Sequence, residues 1–219
     1  MILVGVIIGY GTATLVDSGF LSSEDTIAEA QPQPSVPQAP AEPVAKDVVP
    51  VDPAEDNIMG DKGALISVIE YSDFECPFCV RHHGTMKQLV AEMDDVNWVY
   101  RHYPLPFHSN SQKAAEASEC AAEQGKFWEF ADKVFESGPA VSSLTGYAGE
   151  LGLDTGDFDD CLNSGKYEQK VNDQMDAGSN SGISGTPGNI VINNKTKETK
   201  FVSGAQPIAA FKNAIEVLK

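Results

Sequence analysis

Two of the four cysteines, Cys76 and Cys79, are separated by only two residues in the segment SDFECPFC. The segment follows a β-branched run and precedes a helical hydrophobic period, so the pair is predicted to lie where a strand gives way to a helix. Backbone N–H groups without partners and the helix dipole stabilise an anion at a helix N-terminus. We therefore expect Cys76 to be largely thiolate near neutral pH, and Cys79, one turn further on, to resolve a mixed disulfide. Pro77 fits the first helical position because an N–H group there would have no partner.

A Cys-x-x-Cys pair also fits half of a zinc site or an inert structural disulfide. Zinc usually takes a second pair of ligands, and the chain has no other Cys-x-x-Cys and no HxxxH pair. His82 or His83 would complete only a cramped site on the same helix. The pattern favours a redox pair that works through its own disulfide, and it predicts neither a metal nor another cofactor.

The tripeptide Gly185-Thr186-Pro187 is the second chemical signal. Proline at the start of a strand is compatible with a cis peptide bond. A cis bond would present the Thr186 backbone as an edge that pairs with an extended substrate, whereas the alternative is an ordinary trans turn. The position of the tripeptide, between predicted helices and a terminal hairpin, favours the cis form.

Hydrophobic periodicity predicts the elements that position these residues. The predicted strands are ALISVIEY (64–71), VNWVYRHY (96–103), NIVIN (189–193) and ETKFV (198–202), and the clearest predicted helices are a helix from Pro77, then 114–124, 126–135, 167–180 and 207–218. The first two strands and the helix between them form a βαβ unit with a parallel pair. The expected fold class is α/β, a thioredoxin fold with an inserted helical subdomain at about 105–183.

The N-terminal part of the chain differs in composition from the rest. Residues 2–16, ILVGVIIGYGTATLV, form an apolar run that is short for a membrane span and typical of a signal-peptide core. We expect residues 1–21 to be a signal or membrane-anchor segment, the alternative being a buried helix. Residues 22–56, rich in Pro and Ala, are expected to be a disordered linker. This layout predicts an extracytoplasmic protein, tethered to the membrane, with its folded domain at 57–219.

The net charge excludes one class of partner. Acidic residues outnumber basic ones by 32 to 15, which gives a formal charge of −17. Such a chain repels the phosphate backbone of nucleic acids. We therefore expect no nucleic acid partner.

Residues 57–219 resemble the DsbA-like branch of the thioredoxin superfamily. The matching segments are VIEYSDFECPFC, RHYPLPFH, AAEASECAAEQGKFWEFADKVF, GTPG and SGAQP. The resemblance implies an exported dithiol–disulfide oxidoreductase in which Cys76 attacks, Cys79 resolves and Pro187 is a cis-proline that faces both. Glu70 matches a buried acid that assists proton transfer at the second cysteine, although a Glu that reaches solvent at the sheet edge is the alternative.

The family pattern also implies contacts with substrate and shows two departures. Thr186, Pro77 and Phe78 are expected to contact the client chain. Phe78 replaces the histidine of the strongest oxidants in the family, which removes one stabiliser of the Cys76 thiolate. Gly188 and Asn189 replace the bulkier residues that often follow the cis-proline.

Cys120 and Cys161 are expected to form a structural disulfide across the helical insertion. They lie 41 positions apart in helix-like contexts, SECAAE and FDDCLN. In the chain-entropy model a loop of about 40 residues gives about 4 kcal/mol of stabilisation. The alternative is two separate buried thiols.

Three functions fit these features. The first is an oxidase that donates its disulfide to exported cysteine-containing proteins and is reoxidised by a membrane quinone-linked protein. The second is a reductase or isomerase in the same compartment. The third is a non-catalytic thioredoxin-fold module that binds a metal or a protein.

Overall fold

One mixed β-sheet organises residues 45–219, the part of the chain that the computed structural model describes. In chain order the elements are β1 (Asn57–Met59), β2 (Ile66–Ser72), α1 (Pro77–Glu92), β3 (Val96–His102), α2 (Ser111–Glu123), α3 (Phe127–Ser137), α4 (Val141–Glu150), α5 (Thr155–Ser164), α6 (Glu168–Asn180), β4 (Gly188–Asn193), β5 (Thr199–Ser203) and α7 (Ile208–Leu218). Helices α2 to α6 form the insertion between β3 and β4. The predicted α/β fold with a helical insertion is confirmed.

The strand order is β1-β3-β2-β4-β5. Strands β2 and β3 pair in parallel, as the predicted βαβ unit requires, and β4 and β5 form the predicted antiparallel hairpin. Every residue of β2 is buried, because both faces of this central strand are covered. The end of β2 therefore carries the cysteine segment to the middle of the sheet edge.

The two faces of the sheet pack against different parts of the chain. Alternate residues of β2 and β3, including Ile66, Val68 and Trp98, belong to the larger core together with residues of α1, α2, α3 and α7. The intervening residues, including Ile69 and Val99, belong to a smaller core on the other face. Glu70 shares the parity of Ile66 and Val68, so its side chain lies on the face that α1 covers.

The prediction that residues 22–56 are a disordered linker is wrong for the C-terminal end of this range. The side chains of Val48 and Val51 pack against the smaller core. The buried guanidinium of Arg101 donates to the carbonyl oxygens of Val49 and Pro50 and to both carboxylate oxygens of Asp56. This stretch folds onto the domain because a buried arginine on β3 needs these acceptors, and hydrophobic periodicity carries no signal for such a contact.

The predicted signal or anchor segment and the rest of the predicted linker lie outside the described residues. Within residues 45–219, none of the helices has both the length and the apolar character needed to cross a membrane.

A disulfide joins Cys120 of α2 to Cys161 of α5. It is the pair that the sequence predicts, and it fastens two helices of the insertion to each other. Cys120 is buried in the larger core, and Cys161 is partly buried at its margin.

Candidate active site

Cys76 is the residue that caps the N-terminus of α1, and Pro77 is the first residue of the helix, as predicted. The backbone of Cys76 is extended (φ −78°, ψ 121°), which turns its side chain back towards the first helical turn. The N–H groups of Phe78 and Cys79 lie at this end of the helix and lower the pKa of the Cys76 thiol. Because these groups have no partner within the helix, a thiolate at Cys76 takes the place of a capping side chain.

The two thiols differ in the energy of their charged forms. A hydrogen bond from the Cys79 thiol, together with the Thr186 side chain and the N–H groups of Cys79 and Phe78, lowers the pKa of Cys76 to about 5, although burial opposes the shift. Burial, the hydrogen bond to Cys76 and the charge of Glu70 raise the pKa of Cys79. At neutral pH the reduced site therefore holds a thiolate at Cys76 and a thiol at Cys79.

The peptide bond between Thr186 and Pro187 is cis. Because β4 begins at Gly188 and pairs with β2, this segment lies beside the start of α1. When Cys76 is protonated, its Sγ donates a hydrogen bond of 3.4 Å to the carbonyl oxygen of Thr186. Next to this contact lies a shallow cavity of about 210 Å³, lined by residues 184–188 together with Phe201, Ser203 and Gly204. The structure thus brings together three of the residues that the sequence singles out.

Glu70 lies in the central strand, and its side chain does not reach solvent. The residue is 1% exposed and is paired across the sheet with Tyr100 of β3 and Asn189 of β4. The interpretation of Glu70 as an edge residue open to solvent is therefore wrong. Its Oε2 has no hydrogen-bond partner among residues 45–219, and its charge raises the pKa of both Cys79 and Tyr100.

Phe78 is an exposed residue of the cysteine motif. It is 52% exposed, and the guanidinium of Arg81 stacks over its ring at 4.8 Å from the centroid. An aromatic ring that is held from one side and open on the other suits contact with an apolar side chain of a client.

Gly188 has no room for a side chain. A Cβ at this position would lie 2.8 Å from two carbon atoms of Ile183 and 3.1 Å from the carbonyl oxygen of Gly185. Glycine replaces the bulkier residue of the family pattern at position 188 because Ile183 occupies the space that a side chain would need.

Asp73 is a positioning residue that the sequence reasoning missed. Its carboxylate, fully buried, accepts hydrogen bonds from the N–H groups of Glu75 and Leu105, from Nδ1 of His108 and from the hydroxyl of Ser111. These bonds hold the loop after β3 against the segment that precedes Cys76. The only sequence signal is an acid next to the motif, and three of its four partners, Leu105, His108 and Ser111, are more than 30 positions away.

The two histidines that a zinc site would have needed have other partners. Nε2 of His82 lies 2.9 Å from Oδ1 of Asn189, and Nε2 of His83 lies 2.6 Å from Oδ1 of Asp132. Among residues 45–219 there is no group of three or more His, Cys, Asp or Glu side chains placed to hold a metal ion.

Alkylation of the reduced protein should be confined to Cys76 under mildly acidic conditions. With a pKa of about 5 the thiolate is already the main form at pH 6, whereas an ordinary thiol of pKa about 8.5 is then less than about 1% ionised. We expect the rate of reaction with iodoacetamide to reach half its plateau near pH 5. Mass spectrometry identifies the labelled residue, and Cys76→Ser is the control. Equal labelling of Cys76 and Cys79 at pH 6 would contradict the assignment.

Comparisons with known proteins indicate the family of this chain. The family described as Thioredoxin matches residues 53–216. Na(+)/H(+) antiporter NhaA 3 of Salinispora tropica is 40% identical over 145 residues, which are 64% of this chain and 22% of the antiporter. The chain thus spans about a fifth of the length of the curated relatives that it matches.

Two solved structures extend the similarity to the fold. DsbA2 of Pseudomonas aeruginosa superposes with a TM-score of 0.66 at 27% identity, over 74% of this chain and 93% of that one. The α-DsbA1 protein of Wolbachia pipientis gives a TM-score of 0.65 at 25% identity, over 75% and 90%. The chain therefore belongs to the thioredoxin family, and its fold is similar to that of the DsbA proteins with which it superposes.

Proposed function

We propose that the protein is an extracytoplasmic disulfide oxidase that passes the Cys76–Cys79 disulfide to exported cysteine-containing proteins. The observation that carries the proposal is the position of Cys76 at the N-terminus of α1, where its pKa is lowered to about 5, while burial raises the pKa of Cys79. A stabilised thiolate favours the reduced form of the protein, and a protein that favours its reduced form oxidises its clients.

The reaction balances with the groups present. A client thiolate attacks Sγ of Cys76, the disulfide breaks, and Cys79 leaves with the electron pair and takes up a proton. A second client thiolate then attacks the client sulfur of the mixed disulfide and releases Cys76 as a thiolate. The client gains a disulfide, and the protein gains two electrons and one proton.

The environment of Cys79 fits the proton uptake. Its raised pKa makes the departing thiolate a strong base, so it is protonated as it leaves. Glu70, buried on the same face of the sheet, is the acid that we assign to proton transfer at Cys79. We assign Cys76 and Cys79 as the catalytic thiols and Pro187 as the residue that faces them.

The cavity beside Thr186 and Pro187 is the proposed place of the client backbone. It lies next to the sulfur that forms the mixed disulfide, and the adjoining Phe78 and Pro77 offer apolar contact. An extended segment on either side of the client cysteine would bind there by backbone hydrogen bonds. Such contacts do not depend on client sequence, as an enzyme with many clients requires.

The cellular setting is also part of the proposal. Disulfides persist in oxidising compartments, and the Cys120–Cys161 bond fits the periplasm or the cell exterior. The apolar N-terminal segment would tether the protein to the membrane, where a quinone-linked membrane protein would accept the two electrons and restore the Cys76–Cys79 disulfide.

The Cys79→Ser variant tests catalysis directly. When reduced Cys76 attacks an oxidised client, no resolving thiol is present to release the client. The variant should therefore accumulate mixed disulfides, which a reducing agent cleaves. Non-reducing electrophoresis of extracytoplasmic extracts measures them. The matched control is Cys76→Ser/Cys79→Ser, which should form no adducts. If Cys79→Ser gives no more adducts than this control, the protein acts as a binding module and the proposal fails.

A further inference from the structure

A hydrogen bond between two fully buried polar side chains links the redox helix to the strand that follows the cis-proline. His82 lies one turn after Cys79 in α1, and Asn189 lies two residues after Pro187 in β4. Both residues are 0% exposed, and the distance from Nε2 to Oδ1 is 2.9 Å. Burying two polar side chains is costly unless both are bonded, so this pair is a specific feature of the site.

The hydrogen-bond inventory determines which atom carries the proton. The amide nitrogen of Asn189 donates to the carbonyl oxygens of Val202 and Gly204, at 3.0 and 3.2 Å. Its Oδ1 is therefore the acceptor that faces the ring of His82, so Nε2 of His82 donates. Nδ1 of His82 has no hydrogen-bond partner among the described residues. The imidazole is thus held through a single bond, which points at β4.

The bonds of Asn189 continue to the cis-proline. Its amide fixes the carbonyl of Gly204, and the N–H of Gly204 in turn donates to the carbonyl oxygen of Pro187 at 3.0 Å. A continuous path therefore runs from α1 through His82, Asn189 and Gly204 to Pro187. One residue before Pro187, the carbonyl oxygen of Thr186 is in hydrogen-bond contact with Sγ of Cys76.

The pair also lies beside the buried acid. Asn189 is the direct cross-strand partner of Glu70, which pairs on its other side with Tyr100. Paired residues in neighbouring strands present their side chains on the same face. Tyr100, Glu70 and Asn189 thus form a buried polar row beneath α1, and His82 bonds to the end of the row nearest Pro187.

We propose that His82 and Asn189 are positioning residues that hold the Thr186–Pro187 segment against the sulfur of Cys76. This inference rests on the proposed function, in which Cys76 is the thiol that exchanges with clients. The two residues touch neither client nor sulfur. They act by fixing the distance between the start of α1 and the Thr186–Pro187 backbone. This distance determines which groups of that segment contact the sulfur of Cys76.

His82→Phe tests the proposal most cleanly. The phenyl ring keeps the aromatic contact with Phe211, whose ring centroid lies 5.2 Å from that of His82, but it removes the donor to Asn189. The segment before Pro187 then loses one of its restraints, so the Thr186 side chain, which lowers the pKa of Cys76, is held less closely against the sulfur. We expect the pKa of Cys76, measured by thiolate absorbance, to rise by about half a unit to one unit, a three- to ten-fold loss of thiolate at pH 4.

Two further variants separate positioning from stability. His82→Gln keeps a donor and should restore most of the wild-type pKa of Cys76. His83→Phe is the matched control, because the neighbouring histidine is also buried in α1 but bonds to Asp132 of α3. It should lower the free energy of unfolding without moving the pKa of Cys76. If His82→Phe does not fold, Asn189→Leu removes the same bond together with the bonds of Asn189 to Val202 and Gly204, and the pKa of Cys76 should rise at least as far.

The outcomes are distinct from those of the proposed function. A shift in His82→Phe that is absent in His83→Phe supports the positioning role, even if the Cys79→Ser variant traps no clients. An unchanged pKa of Cys76 in His82→Phe, or equal shifts in both histidine variants, would overturn it while leaving oxidase activity in place.

Discussion

The double variant Cys120→Ala/Cys161→Ala should lose about 4 kcal/mol of unfolding free energy. The disulfide closes a loop of 41 positions, and opening it returns the corresponding conformational entropy to the unfolded chain. Cys120 is only 1% exposed, and alanine at this position also leaves a small gap beside the larger core. Chemical denaturation of the variant and of the wild type, both with Cys76 and Cys79 reduced, gives the difference.

A second double variant provides the control for this measurement. Cys76→Ala/Cys79→Ala also removes two cysteines but keeps the bond between α2 and α5, so it should lose only the stabilisation that the Cys76 thiolate contributes, about half of the loss expected for Cys120→Ala/Cys161→Ala. A loss of less than about 1 kcal/mol in Cys120→Ala/Cys161→Ala would show that the bond does not stabilise the domain.

Reduction of the Cys76–Cys79 disulfide should make the domain more stable at pH 7. In the folded protein the pKa of Cys76 is about 5, and in the unfolded chain it returns to about 8.5. At pH 7 the part of this separation that lies below the ambient pH, about two units, corresponds to about 3 kcal/mol, and partial solvent screening reduces it to about 2 kcal/mol. Cys79 adds nothing at this pH, because it is a thiol in both states.

This stabilisation should depend on pH in one direction. A lowered pKa in the folded state stabilises the reduced protein in full above the pKa of the unfolded thiol, and the stabilisation is lost as the pH falls through about 5. Denaturation of the oxidised and reduced proteins at pH 7 and pH 4, with Cys120–Cys161 left intact, measures it. A reduced form that is less stable than the oxidised form at pH 7 would indicate a reductant.

The parts of the site that follow from the sequence are those encoded locally. The change from a β-branched run to a helical period at Pro77 predicts where β2 ends and α1 begins, and so predicts that Cys76 caps a helix. The hairpin after Pro187 likewise follows from two short apolar runs and a polar connection. In each case neighbouring residues carry the whole signal.

The parts that the sequence does not predict depend on contacts between distant residues. Strand β1 has only three residues and exists through its pairing with β3. The bond between His82 and Asn189 joins positions 107 apart. Residues 45–56 pack against the domain, where carbonyl oxygens of Val49 and Pro50 accept hydrogen bonds from Arg101. No pattern within these residues predicts that contact.

The equilibrium of the Cys76–Cys79 couple with glutathione measures whether the protein is an oxidant or a reductant. The pKa of Cys76, about 5, lies between the values of about 7 for thioredoxin and about 3.5 for DsbA, whose potentials are about −270 and about −120 mV. Since thiolate stabilisation favours reduction, we expect a potential between these two, that of a mild oxidant. A potential at or below about −270 mV would contradict it, because the protein would then be at least as reducing as thioredoxin.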